Sequence, residues 1–415
     1  MSLVGFPVGP AGENDRFLGD ATGPSLGQLD STGEGQPHTQ WLSYTFHVTK
    51  ATLYCSYANL LLVFVPLGII AGAQGWNSAA VFTLNFLAIF PLASLLSYST
   101  EELSANVGQT FGGLINATFG NAVEMIVGIT ALNCGEISIV QSSMVGSVLS
   151  GTLLILGSCF FSGGCGKETL AFNIDVTGIM SSLMIISSAS LVVPSALYST
   201  ATPLKPLEPS GDILVLSHIT SIILLVFYIM YLYFQLHSHA HLFTCDDDTE
   251  ADENHTLDPW TASTVLVIAT VGVTVCSDYL VDSIDGVVEA SNISRTFIGL
   301  IIVPIVGNAG EYVTTVNAAM KGKVDLAIGV IVGSTLQITL FVTPFLVILG
   351  WILRQPMSLR FDTFETTVFF LAVILVNCLI QGGRTNYFEG AMLIGTYLII
   401  AIAFYVHPDI SALGL

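Results

Sequence analysis

The chain has 415 residues, 52% hydrophobic and only 10% charged, with a mean hydropathy of +0.76. A water-soluble protein of this length carries about a quarter charged residues, so that class is excluded. Acids outnumber bases 30 to 10, giving a net charge of −20, which argues against nucleic acid or anionic lipid as partners and suits the handling of cations.

The first 40 residues are polar and rich in Gly and Pro, without a basic-then-apolar signal pattern, so 1–50 reads as a disordered tail. Eleven apolar segments follow, at roughly 55–75, 77–104, 109–134, 137–163, 173–199, 210–237, 260–290, 294–320, 324–353, 362–381 and 385–407. Their lengths suit membrane-spanning helices, and their continuous apolar character is unlike the in-out alternation of a membrane β-barrel. The expected fold is therefore an all-α polytopic membrane protein of about 11 transmembrane helices. A first helix (51–76) precedes a five-helix repeat (77–237), an acidic linker (238–259), a second five-helix repeat (260–407) and a tail (408–415).

The linker contains "CDDDTEADENH". Counted from Asp246, the sixth and twelfth positions hold Ala251 and Leu257 where an EF-hand needs Gly and Glu, so it is not an EF-hand. His237, His239 and His241 alternate at period two and fan out on a helix instead of converging on a metal. Seven scattered cysteines imply no disulfide framework.

The two halves repeat each other. "GNAVE" at 120–124 recurs as "GNAGE" at 307–311, an offset of 187 residues. The same offset, without a gap, carries Glu102 onto Glu289, Gly112 onto Gly299, Gly135 onto Gly322, Gly146 and Ser147 onto Gly333 and Ser334, and Leu149 onto Leu336. Glu124 lies in the third apolar segment and Glu311 in the eighth. An odd number of crossings separates them, so the second copy is inverted, as in many alternating-access transporters, and the two Glu residues can face each other near the midplane. With the N-terminus in the cytosol, six bases (Arg16, Lys50, Lys167, Lys321, Lys323, Arg384) fall inside and four (Lys205, Arg295, Arg354, Arg360) outside, a slight positive-inside bias that also makes the linker cytosolic.

A carboxylate at membrane depth costs roughly 2.5–3.5 kcal/mol on insertion scales and is seldom idle. In each G-N-A-x-E copy the small residues permit close approach or local unwinding, and Pro304 frees a backbone carbonyl. Asn121 and Glu124, like Asn308 and Glu311, are three apart and would share a helical face. Two carboxylates, two amide oxygens and loosened carbonyls form an oxygen cage of the kind a hard divalent cation prefers. Both ionised, the pair matches one such ion; with the ion gone, like charges in low dielectric favour rebinding of protons. Mutual exclusion at one site is what a proton-coupled antiporter needs; a merely structural, hydrogen-bonded pair is the alternative. Asp278, Asp282, Asp285 and Glu289 are spaced as one stripe along the seventh helix, and Glu289 and its mate Glu102 would mark entry vestibules on opposite faces, or simply interfacial helix ends. Gln141 and Gln337 each lie near a Gly-Ser pair, so either would hydrogen-bond a Glu or supply an oxygen ligand.

These residues resemble the Ca2+/H+ antiporters of the cation/Ca2+ exchanger superfamily, and among them the fungal vacuolar type. The similarity runs from about residue 55 to 407 and includes "GGLINATFGNAVEMIV", "IVQSSMVGS", "FIGLIIVPIVGNAGEYVT" and "DLAIGVIVGSTLQITLFVTP". The resemblance implies a Na+/Ca2+-exchanger-like fold and a vacuolar or other acidic organellar membrane. It implies that Glu124 and Glu311 bind Ca2+ and exchange it for protons, with Asn121, Asn308 and flanking backbone assisting. Mn2+ is a further candidate substrate. The family's second motif usually reads GNAAEH, whereas this chain has Gly310 and Tyr312, so a proton role for that His would be missing or altered here. Expected partners are the lipid bilayer and the transported Ca2+ and H+, with no nucleic acid and no resident cofactor; a homo-oligomer is left open. A Na+-driven exchanger of the same fold would be expected to add Ser, Thr and Asp ligands beside the Glu. A cation channel would need no inverted repeat. Paired Asp, or Ser with His, at membrane depth is not found, which argues against a hydrolase.

Overall fold

A computed structural model of the chain describes residues 57–107, 109–201, 211–240, 257–291 and 293–406. The N-terminal tail, most of the acidic linker with His241, and residues 408–415 lie outside these.

The described chain is almost wholly helical, as apolar sequence in hydrocarbon requires, because a helix satisfies its backbone groups internally. A short apolar helix, α1 (Asn59–Ala73), precedes α2 (Ser78–Asn106), whose start is capped by Asn77 Oδ1 accepting from the Ala79 amide at 3.0 Å. Next comes a bent pair, α3 (Gln109–Phe119) and α4 (Ala122–Asn133), with 43° between its halves. Three long helices complete the first half: α5 (Ile137–Gly164), α6 (Val176–Leu197) and α7 (Ile213–Ser238). The second half runs α8 (Pro259–Asp282), a short α9 (Ile284–Ser291), the bent pair α10 (Arg295–Gly307) and α11 (Ala309–Met320) at 56°, then α12 (Val324–Leu353), α13 (Thr363–Ile380) and α14 (Tyr387–Val406). The start of α13 is a capping box: Asp362 accepts from the Phe364 amide at 2.8 Å, and Glu365 reaches back to the Asp362 amide.

Eight helices are long and apolar enough to cross a bilayer, and the two bent pairs raise the candidate spans to ten among the described residues. Helix α1 is shorter than the roughly 20 residues a span needs, so length alone does not bring the total to the expected eleven. The expected single helix over 260–290 is corrected. It stops at Asp282, the Ser283 hydroxyl donates to the Leu280 carbonyl at 2.7 Å, and α9 starts afresh. Asp278 and Asp282 therefore sit on α8, and Asp285 and Glu289 on α9.

The repeat is structural as well as textual. Gly135 and its mate Gly322 both turn with positive φ, 79° and 87°, between a bent pair and the long helix after it. The two bends fall at corresponding positions, and Leu149 and Leu336 are both fully buried in the central core. One face of the bundle holds the ends of α2, α7 and α11. There a two-residue ribbon, β1 (Leu170–Ala171) on β2 (Arg384–Thr385), joins the halves; we call this the linker face. The opposite, far face holds the α4–α5 turn, α9 and the start of α10.

Candidate ion-binding site

The site is built where the two helices break. Asn121 and Asn308 sit in the breaks themselves, with φ, ψ of −107°, 31° and −81°, 7°. Each takes the N-cap position of the half-helix that carries the Glu three residues on, and its amide reaches into the other repeat. Asn121 accepts from Ser334 Oγ at 2.9 Å and donates to Gln337 Oε1 at 2.6 Å. Asn308 donates to the Ser147 carbonyl at 3.2 Å and to Ser150 Oγ. Gln337 is the mate of Ser150 under the 187-residue offset, so the two clamps are one clamp made twice. Among the described residues Asn308 Oδ1 makes no hydrogen bond.

Both carboxylates are in the first turn of the half-helix after the break. Glu124 is 5% exposed and Glu311 half-buried. A Cβ on Gly307 would lie 2.7 Å from Glu124 Oε1, so any larger residue there would displace that carboxylate. The first repeat's Glu thus abuts the second repeat's break. Glu311 is close enough to Glu124 to feel its charge. Among the described residues no three His, Cys, Asp or Glu side chains converge as a metal cluster, so the site is a carboxylate pair with amide and hydroxyl neighbours.

The other predicted residues divide. Ser334 and Gln337 belong to the site, and Ser147 contributes its carbonyl. Gln141 does not: its amide donates to the Ser358 carbonyl at 2.8 Å on the far face. Asp278 accepts from Thr130 of α4 at 3.1 Å, on the far side of Glu124. Glu102 accepts from the Leu257 amide at 3.2 Å and so holds the exit of the linker, whereas its mate Glu289 is exposed on α9. Tyr312 is 39% exposed beside Glu311. Ser150 was missed; its signal is that it follows Ser147 by the three residues that separate Ser334 from Gln337.

The halves of the two breaks are packed unequally. On the far side α4 is largely buried, and α10 lies so close to α5 that a Cβ on Gly146 would meet the Leu300 carbonyl at 2.1 Å. That carbonyl is the one Pro304, four residues on, leaves without its helical donor. The mate of Gly146, Gly333, has no such neighbour; the nearest atom to its Cβ position is Met180 Cε at 3.8 Å. The mate of Leu300, Gly113, faces Leu236 of α7 instead. On the linker side Asn116 and Thr118 of α3 and Thr314 and Asn317 of α11 are exposed, polar groups poorly suited to lipid. The α5–α10 seam on the far side is therefore closed, whereas the matching α12–α3 seam on the linker side is open.

Inverted repeats, a discontinuous helix in each, and a carboxylate pair at the breaks define a membrane transporter of the exchanger class. The sodium/calcium exchanger protein family profile matches residues 77–237 and 261–406, and the chain belongs to that family. It is similar to the vacuolar calcium ion transporter of Schizosaccharomyces pombe, 47% identical over 87% of this chain and 88% of the relative. It also resembles vacuolar cation/proton exchanger 2 of Arabidopsis thaliana, 40% identical over 87% and 83%. A crystal structure of the Ca2+/H+ antiporter YfkE superposes with a TM-score of 0.72 at 35% identity, covering 84% of this chain and 98% of that one.

Proposed function

We propose that this protein is a secondary antiporter that takes Ca2+ from the cytosol and exchanges it for protons across the membrane of a vacuole or other acidic organelle. The observation that carries this reading is the meeting of Glu124, 5% exposed, with the second repeat's break at Gly307, with Glu311 within Coulombic range. The names of the similar transporters support the substrate and the compartment.

With both carboxylates ionised the pair neutralises one divalent cation, and Asn308 Oδ1 with the loosened break carbonyls supplies neutral oxygens, the donor set Ca2+ takes. The donors are oxygen throughout, so Mn2+ is accepted as a second substrate. When Ca2+ leaves, two like charges in a low-dielectric site cannot both persist, and protons take its place. Ca2+ and protons therefore compete for the same atoms, and each crosses only as the other returns. The linker face is then the cytosolic side. The clamps Asn121–Ser334/Gln337 and Asn308–Ser147/Ser150 keep the breaks in register while the outer half-helices move.

Calorimetry in two buffers of different ionisation enthalpy tests the competition. Ca2+ binding to the purified protein releases protons, so the apparent heat differs between buffers. Equal heats in both would remove the shared site.

A further inference from the structure

Three charged side chains that the exchange site does not use meet on the far face. Arg295, the first residue of α10, donates from Nη1 to both carboxylate oxygens of Glu136, at 2.8 and 3.0 Å. Its Nη2 lies 2.6 Å from Asp285 Oδ1 on α9. Glu136 sits in the turn between α4 and α5, so one guanidinium ties the far end of the first repeat's bent pair to the far end of the second's. The two arms of the planar fork hold two carboxylates at once, Nη1 on Glu136 and Nη2 on Asp285, which a single Lys ammonium does not reproduce in this geometry. Further along α10 runs the seam in which the Leu300 carbonyl lies against Gly146.

The 187-residue offset that makes the rest of the site symmetrical fails here. It places Lys323 opposite Glu136 and Gly108 opposite Arg295, so the linker face has no equivalent triad. Among the described residues the far face carries this ionic tie and the linker face holds no ion pair of the same kind.

We propose that Arg295 is a positioning residue of the exchange cycle: through Glu136 it latches α10 against the α4–α5 turn and holds the far side closed. The proposal rests on the alternating-access reading above. For the site to open on the far side α10 must leave α5, and Arg295 must first let go of Glu136. Because the tie exists only in the far-closed state, losing it shifts the population toward the far-open state and leaves the ion site itself intact.

Side-specific thiol labelling of the full-length protein in sealed vesicles tests this. Val127, one turn beyond Glu124 toward the far face and 5% exposed, is the reporter as Val127→Cys, with the exposed Cys134 replaced by Cys134→Ser. A membrane-impermeant maleimide is supplied from the far side. Arg295→Ala raises the labelling rate about two- to fivefold, the effect of losing a part-exposed ion pair. Arg295→Lys gives an intermediate rate. Glu136→Ala breaks the same tie from the other repeat, and the double variant labels no faster than either single one, as coupled partners require. Should Arg295→Ala not fold, Glu136→Ala alone carries the same expectation. Unchanged labelling in the folded variants, or fully additive effects, would overturn the latch. Ca2+-driven proton movement is recorded in the same vesicles: labelling that responds without exchange defeats the proposed function and keeps the latch, and exchange with unresponsive labelling does the reverse.

Discussion

Replacing Glu124 or Glu311 by Gln keeps the size of the side chain and removes its charge. Losing one charge-assisted interaction costs about 2–3 kcal/mol, so Ca2+ affinity falls roughly 30- to 150-fold per substitution. Equilibrium binding of 45Ca2+ checks this; an affinity within threefold of wild type would return the residue to a structural role. Tyr312 bears on the pH profile. It is 39% exposed next to Glu311 and brings no imidazole to the site. Tyr312→His therefore introduces a dependence with a midpoint near pH 6–7 on the linker side, read from transport rate against pH; superimposable profiles would show that position 312 takes no part in proton transfer. The Glu pair was legible in the sequence because the same five-residue motif occurs twice at one offset. Ser150 was not, because its mate is Gln337, and dissimilar residues at matched positions escape a search for identity. Gln141 misled for the opposite reason: it lies close in sequence to the Gly146–Ser147 pair, but its position on α5 carries it to Ser358 on the far face.

At the scale of elements, the apolar segments and the inverted repeat could be read from hydrophobic length and offset, since the bilayer leaves the backbone few alternatives. The bends of 43° and 56° were foreshadowed only by the small residues of G-N-A-x-E. The end of α8 was not foreshadowed at all. No Gly or Pro marks Ser283, and the helical spacing of the acids continues straight through the break. The unequal packing of the halves was also invisible, because a repeated sequence does not say which of two alternative arrangements it adopts. That asymmetry gives two matched substitutions opposite outcomes. Gly146→Val forces a Cβ to within 2.1 Å of the Leu300 carbonyl and destabilises the far-side seam by about 1–3 kcal/mol, seen as a lower unfolding midpoint in detergent. Gly333→Val meets open space beyond Met180 and leaves that midpoint near wild type. It obstructs α3 when the linker side has to close, so Ca2+ still binds while turnover is lost. Equal loss of stability in both variants, or full turnover in Gly333→Val, would contradict the asymmetry.

For the whole molecule, the proposed reading makes the closed α5–α10 seam and the open α12–α3 seam one half of an alternating-access cycle, with the repeat supplying the other half by exchanging the roles of the two bent pairs. The most direct measurement is Ca2+ uptake by the purified protein in sealed liposomes under an imposed pH gradient, acidic inside. Exchange through the paired site predicts uptake that needs the gradient, acidifies the outside as Ca2+ enters, is not supported by a Na+ gradient in its place, and disappears in both Glu124→Gln and Glu311→Gln. Uptake that ignores the pH gradient, or that survives either substitution, would contradict it.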